Sequence, residues 1–169
     1  FDIDGIDTAH KLAILASLAF GRQIDFDNIH VEGIRHISKT DIHLAGELGY
    51  RIKLLGIASE NEKGIEQRVH PCLVPHAASI ASVEGIFNAV VVEGDSIDTL
   101  MLEGRGAGEG PTASAVCADL IDIARDINLP TFGVSAKSLE VVNTMPMGLH
   151  KGAYYLRLMV VDQPGIFAD

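Results

Sequence analysis

Nine consecutive residues without a charge, residues 12–20 (LAILASLAF), place the strongest constraint on what this chain can fold into. Such a run reads as a helix buried on most of its faces, so other elements must cover it. Directly before it, residues 2–12 (DIDGIDTAHKL) set three carboxylates and a lysine against the apolar run. Asp4 and Gly5 form the expected turn into the helix, with Asp4 as its N-cap. Asp7 and Lys11 stand four apart and share one face of the first turns. A cation at this end opposes the helix dipole, a mismatch of roughly 0.3–1 kcal/mol, and partial burial would further disfavour its charged form. Asp7 pulls the other way and holds the amine in place. A lysine so placed can pass a proton near neutral pH. The plainer reading is an ordinary i,i+4 ion pair, worth a few tenths of a kcal/mol.

The rest of the chain alternates strands and helices. Residues 7–20 make the first helix and 21–28 a loop. Residues 41–48 (DIHLAGEL) read as a short helix closed by Gly49, with Asp41 and Glu47 as solvated charges on its face. Residues 50–58 are a strand in which Arg51 and Lys53 alternate with apolar neighbours. The polar stretch 59–63 and Gly64 form a hairpin turn into a partner strand at 65–74. Residues 78–84 are a short helix or turn. Residues 87–93 and 97–104 are two further strands joined by Gly94, Asp95 and Ser96. A second long helix covers 112–127, the breaker-rich stretch 135–151 reads as a linker, and 153–162 (AYYLRLMVVD) is a strong strand pattern. Short turns between strands imply antiparallel pairing. The expected fold is therefore α+β: a mixed, largely antiparallel sheet with helices packed on one face.

At 169 residues the chain is long enough for one domain with a substantial core. Its formal charge of −10 leaves no basic stripe for a nucleic acid or an anionic membrane surface. Cys72 and Cys117 lie far apart and in no metal spacing, so reduced thiols are expected. No apolar stretch is long enough to span a bilayer, and no signal peptide is visible. The chain opens on Phe1 and reaches a helix signature within a few residues, which suggests a piece of a longer protein.

Residues 104–116 (GRGAGEGPTASAV) place four glycines before a helix that has Pro111 near its start and Thr112 as a candidate cap. Such glycines let backbone N–H groups approach an anion, and a helix N-terminus adds a favourable field. The pattern suits a phosphate or carboxylate cradle. It is neither a dinucleotide fingerprint nor a Walker loop, and by spacing alone such a stretch is more often just a tight turn. His70, His76 and Cys72 lie close in sequence, but their spacing fits no metal-ligand pattern and no metal is expected. His10 points about 100° around the helix from Lys11. No Ser/His/Asp arrangement has diagnostic spacing.

Residues 4–16 (DGIDTAHKLAILA) resemble the D-G-x-D-x-x-x-K-L-x-I-L-A signature of homoserine dehydrogenases. Residues 104–116 resemble that family's G-x-G-A-G-x-x-P-T-A-S-A-V segment. Residues 150–167 (HKGAYYLRLMVVDQPGIF) are similar to the linker, first strand and strand-to-helix turn of an ACT regulatory domain, although the residues alone also suit an ordinary edge strand. The resemblance implies a substrate-binding and dimerisation domain over 1–150 and a truncated ACT domain over 151–169. It implies a cytoplasmic, dimeric oxidoreductase of threonine and methionine biosynthesis, interconverting L-homoserine and L-aspartate 4-semialdehyde with NADP or NAD. Lys11 would be its proton-transfer residue and Asp7 the partner carboxylate, both also contacting substrate. Gly106, Ala107, Gly108 and Thr112 would lie beside the cofactor. It implies threonine as an effector, and no activity for these 169 residues without the family's nucleotide-binding domain. Two other readings stay open: a non-catalytic dimerisation module, and a sensor whose glycine loop binds an anionic metabolite.

Overall fold

A computed structural model describes residues 1–127, 130, 133–141 and 143–161. Helix α1 (Ile6–Phe20) buries Ala9, Leu12, Ala13, Ala16 and Ser17, the i, i+3, i+4, i+7, i+8 stripe of a helix lying on a sheet. It ends at Gly21, whose φ of 64° turns the chain out while its N–H donates to Ser17 O. The other flank of α1 stays open, with Ile14, Leu15 and Leu18 all exposed. Burial on most faces is therefore not found; among the described residues, only one stripe is covered.

The sheet beneath α1 is a long hairpin with one short added strand. Strand β2 (Tyr50–Asn61) pairs antiparallel with β3 (Gly64–Pro75), in register from Tyr50↔Pro75 to Asn61↔Gly64. Glu62 and Lys63 make the turn, so both strands run further than the alternation predicts. Strand β1 (His30–Val31) adds to β3 in parallel and is too short to be read from sequence. Successive residues of a strand face opposite ways. Leu54, Gly56 and Ala58 of β2 and Val69 of β3 face α1. Their core includes Ala9, Leu12, Ala13 and Ile29, with Val69 fully buried. Arg51 and Lys53 point to the other face, where they donate to Ala81 O and Val83 O beside a single 3₁₀ turn (Ser79–Ser82).

Helix α2 (Lys39–Glu47) packs against β2. It opens on a capping box: Ser38 Oγ accepts from Asp41 N, and the Asp41 carboxylate accepts from Ser38 N. Gly49, at φ 84°, follows its end as expected.

Strands β4 (Phe87–Gly94) and β5 (Asp98–Arg105) form a separate two-stranded antiparallel sheet. Helix α3 (Glu109–Ala124) follows it and has no buried residue. Its N-cap is Gly108, at φ 116°, which corrects the expectation for Thr112. Thr112 lies inside the first turn, its N–H donating to Gly108 O at 3.1 Å. Pro111 is tolerated there because an N–H so near a helix start needs no partner.

The described residues of 135–151 carry two 3₁₀ turns (Ala136–Ser138 and Met147–Leu149) among irregular backbone, with bridges from Glu140 to Arg22 and from Thr144 to Ile65. The strand pattern at 153–162 does not become a strand over 153–161, because no other described strand pairs with it. The turn expected at residues 162–165 lies outside the described residues. The α+β class stands, with antiparallel pairing dominant and, among the described residues, β1–β3 as the one parallel strand pair.

Candidate active site

The turn into α1 is held from two sides. Gly5 N–H donates to Asp2 O at 3.0 Å, and Gly5 adopts φ 79°. A side chain there would be strained by the backbone and would press on Val69 Cγ1 at 3.0 Å and Val31 Cγ1 at 3.2 Å. The loop after β1 crosses over this turn. Glu32 N–H donates to Val69 O at 2.7 Å and Ile34 N–H to Ile3 O at 2.9 Å. Between them, Gly33 sits so close that a Cβ would overlap Ile3 O and lie 2.7 Å from Asp4 Cα.

Arg35 completes the clamp. Its guanidinium forks onto Asp4, Nε to Oδ1 at 2.5 Å and Nη2 to Oδ2 at 2.8 Å. That fork holds the Asp4 carboxyl below the usual carboxylate range. Asp4 is therefore not the N-cap of α1. Gly5 occupies the cap position without a side-chain hydrogen bond, because Asp4 is drawn to Arg35. Sequence reading missed Arg35 and Gly33; a glycine between Glu32 and Ile34 was the one local sign of a close approach.

Above this turn, Lys11 Nζ donates to Asp7 Oδ2 at 2.7 Å. The side chains are 60% and 44% exposed, so the partial burial expected of Lys11 is not found among the described residues. The pair is an ammonium held by one carboxylate on a rigid helix and open to solvent. It can present a proton to a substrate oxygen and take one back. His10 stacks instead on Phe26, centroids 4.4 Å apart.

Gly106, Ala107 and Gly108 form the exposed link from β5 to α3. Gly108 leaves the first amides of α3 without a side-chain cap, which suits an approaching anion, although Glu109 already sits in that field. Lys11 and this loop belong to elements of different sheets, and no hydrogen bond or ion pair joins them among the described residues.

On β3, Arg68 Nε donates to His70 Nε2 at 3.1 Å, which leaves the proton on Nδ1, 3.0 Å from Pro71 O. Neither nitrogen has a lone pair free for a metal or for activating Cys72, 3.5 Å away. Among the described residues, no group of three His, Cys, Asp or Glu could hold a metal ion. Burial pushes the Cys72 thiol up, against a smaller opposing effect of Arg68. At a given pH less of it is thiolate, the form that reacts. Timed labelling with a maleimide near pH 7.5, resolved by peptide mass, is expected to modify the exposed Cys117 well before Cys72.

The sequence model of the homoserine dehydrogenase family matches residues 1–121. Homoserine dehydrogenase of Pseudomonas aeruginosa is 44% identical over 175 aligned residues, covering 100% of this chain and 40% of that protein. The Helicobacter pylori homoserine dehydrogenase is 44% identical over 169 residues, again across 100% of this chain and 40% of its own length. Among solved structures, a homoserine dehydrogenase from Thiobacillus denitrificans superposes with a TM-score of 0.82 at 47% identity, over 87% of this chain and 36% of that one. A hyperthermophilic archaeal homoserine dehydrogenase in complex with NADPH superposes with a TM-score of 0.59 at 26% identity, over 74% of this chain and 34% of its own. The chain thus spans about 40% of the length of the curated relatives it matches.

Proposed function

From the premise that this chain belongs to the homoserine dehydrogenase family, we propose that it is the substrate-handling part of an NAD(P)-dependent oxidoreductase interconverting L-homoserine and L-aspartate 4-semialdehyde. The observation that carries this reading is the Lys11–Asp7 pair, 2.7 Å apart on a helix whose entry is clamped by Gly5, Gly33 and Arg35. Lys11 Nζ gives a proton to the aldehyde oxygen as that oxygen gains charge, and accepts the hydroxyl proton in the reverse direction. Asp7 orients the ammonium and contacts the substrate's own amine.

When bound, NADP or NAD supplies the hydride exchange. Gly106, Ala107, Gly108 and Thr112 would lie beside the nucleotide. Most of its binding falls to a part of the parent protein outside these 169 residues. The uncapped start of α3 supports that assignment.

Domain organisation follows the same reading: residues 1–150 for substrate binding and dimerisation, and 151–169 as the start of an ACT domain with threonine as its effector. Val90, Val92, Leu100 and Leu102 project from one face of the β4–β5 hairpin and stay 38–59% exposed, which supports a homodimer formed through the sheet. We place the enzyme in the cytoplasm, in threonine and methionine biosynthesis. No described helix is long and apolar enough to cross a membrane.

The test is L-homoserine-dependent reduction of NADP and of NAD, followed at 340 nm. The full-length protein is expected to turn over and the isolated 169-residue chain to show none. Inactivity of the full-length protein with both nucleotides would favour the dimerisation or metabolite-sensing alternatives.

A further inference from the structure

Asp41 was expected to be a solvated helix-face charge, and it is only 4% exposed. Its Oδ2 accepts from Ser38 N at 2.8 Å and Ser38 Oγ at 2.6 Å, which completes the cap of α2. Its Oδ1 is taken by residues more than a hundred positions later. Tyr155 OH donates to it at 3.1 Å, and Arg157 Nε lies 2.7 Å away. Tyr155 and Arg157 are two apart, and both side chains reach the same carboxylate oxygen.

The same segment has a second hold. His150 Nδ1 lies 2.7 Å from Glu66 Oε1 on β3, a carboxylate 8% exposed whose other oxygen lies 2.8 Å from Arg68 Nη1. Residues 150–157 thus touch β3 at one end and are hydrogen-bonded to α2 at the other. The apolar side chains along it take no part: Leu156 is 77% and Leu158 54% exposed. The grip is polar: one hydrogen bond from Tyr155, with the Arg157 guanidinium and the His150 ring in close contact with carboxylate oxygens.

We propose that the start of α2 around Asp41 is a docking site for this chain's own segment 150–157, read by its Tyr-x-Arg spacing, and that docking braces α2. A buried carboxylate oxygen without a partner is costly, and Oδ1 has its described partners in this segment alone. The brace continues inward by contact. Helix α2 packs on β2, and β2 backs onto α1 at Gly56, where even a methyl group would meet Thr8 Cγ2 at 3.1 Å and Leu12 Cβ at 3.5 Å. Thr8 neighbours Asp7 and Leu12 neighbours Lys11, so the segment and the proposed proton-transfer pair are joined by packed elements.

The test is limited trypsin digestion of the full-length protein. Cleavage after Lys151 is timed by mass spectrometry, with cleavage after Lys63 in the β2–β3 turn as the reference. Asp41→Asn and Arg157→Gln are each expected to speed the Lys151 cut by about tenfold, as for loss of a charge-assisted contact, and to leave the Lys63 cut unchanged. The double variant is expected to be cut no faster than either single one, because both remove the same contact. Tyr155→Phe is expected to act in the same direction and more weakly. If Asp41→Asn weakens the capping box and fails to fold, Arg157→Gln and Tyr155→Phe decide the matter, since both leave the cap intact. Unchanged cleavage in Arg157→Gln would overturn the docking. Protection lost on dilution of the wild type would overturn its assignment to the same chain in favour of a second copy. None of these readouts involves turnover, so failure here leaves the Lys11 reading standing, and the reverse holds too.

Discussion

Full-length Lys11→Ala protein is expected to reduce NADP with L-homoserine some 10²- to 10⁴-fold more slowly than the wild type, the span associated with a lost general acid or base. Its stability should barely change. The Lys11–Asp7 pair is a solvent-exposed i,i+4 contact, and such pairs contribute a few tenths of a kcal/mol. That contrast separates the readings. A structural ion pair predicts near-normal turnover together with near-normal stability. A proton carrier predicts lost turnover with the fold and assembly intact, seen as an unaltered thermal midpoint and an unaltered mass by light scattering. Lys11→Arg should not rescue, because a guanidinium keeps its charge but does not release its proton in the working pH range. Equal turnover in wild type and Lys11→Ala would remove Lys11 from the proton path and leave the family assignment untouched.

The second large effect is expected at a residue with no chemistry of its own. Gly33→Ala puts a methyl group into Ile3 O and the Asp4 backbone, atoms of the turn that launches α1. Backbone cannot rotate aside as a side chain can, so either the loop lifts or the turn shifts. Lifting weakens the Ile34–Ile3 hydrogen bond and the Arg35 fork. Overpacking of this kind costs about 1–3 kcal/mol, readable in a urea melt. Shifting the turn moves Asp7 and Lys11 together, and a displacement on the order of 1 Å at a reacting group can lower turnover by about 10²-fold. Gly33→Ala should therefore lose both stability and rate, unlike Lys11→Ala. If Gly33→Ala turns over normally, the clamp does not set the geometry of the pair.

The parts legible in the sequence are those fixed within a few residues. Asp7 and Lys11 meet because a helix brings positions four apart onto one face. The β2–β3 and β4–β5 hairpins were readable because alternation and turn residues are local, and Gly49 marked the end of α2 for the same reason. What escaped depends on distant partners. Asp4 looked like a helix cap until Arg35, 31 residues later, drew it away. Asp41 looked solvated because Tyr155, 114 residues on, could not be foreseen beside it. Residues 153–161 carry a strong strand pattern, yet strand pairing is a property of two segments and the pattern describes one. At the start of α3 the cap passed from Thr112 to Gly108, because a glycine able to adopt φ 116° opened the helix before the threonine was reached.

The lopsided distribution of burial bears on how the chain acquires its structure during synthesis. Among the described residues, the buried apolar side chains other than Leu139 all fall at or before Ala81. The β2–β3 hairpin joins neighbouring sequence, and α1 needs only that hairpin and β1 to bury its stripe. This half can therefore consolidate on a nascent chain while the remainder is still being made. Helix α3, with no buried residue, gains nothing from that first half and relies on intrinsic propensity, which is marginal for a single helix of its 16 residues. The β4–β5 hairpin is likewise open, with Val90, Val92, Leu100 and Leu102 uncovered among the described residues. The first half is closed only when residues 139–155 reach it, through the Gln23–Glu140, Ile65–Asn143 and Tyr155–Asp41 hydrogen bonds.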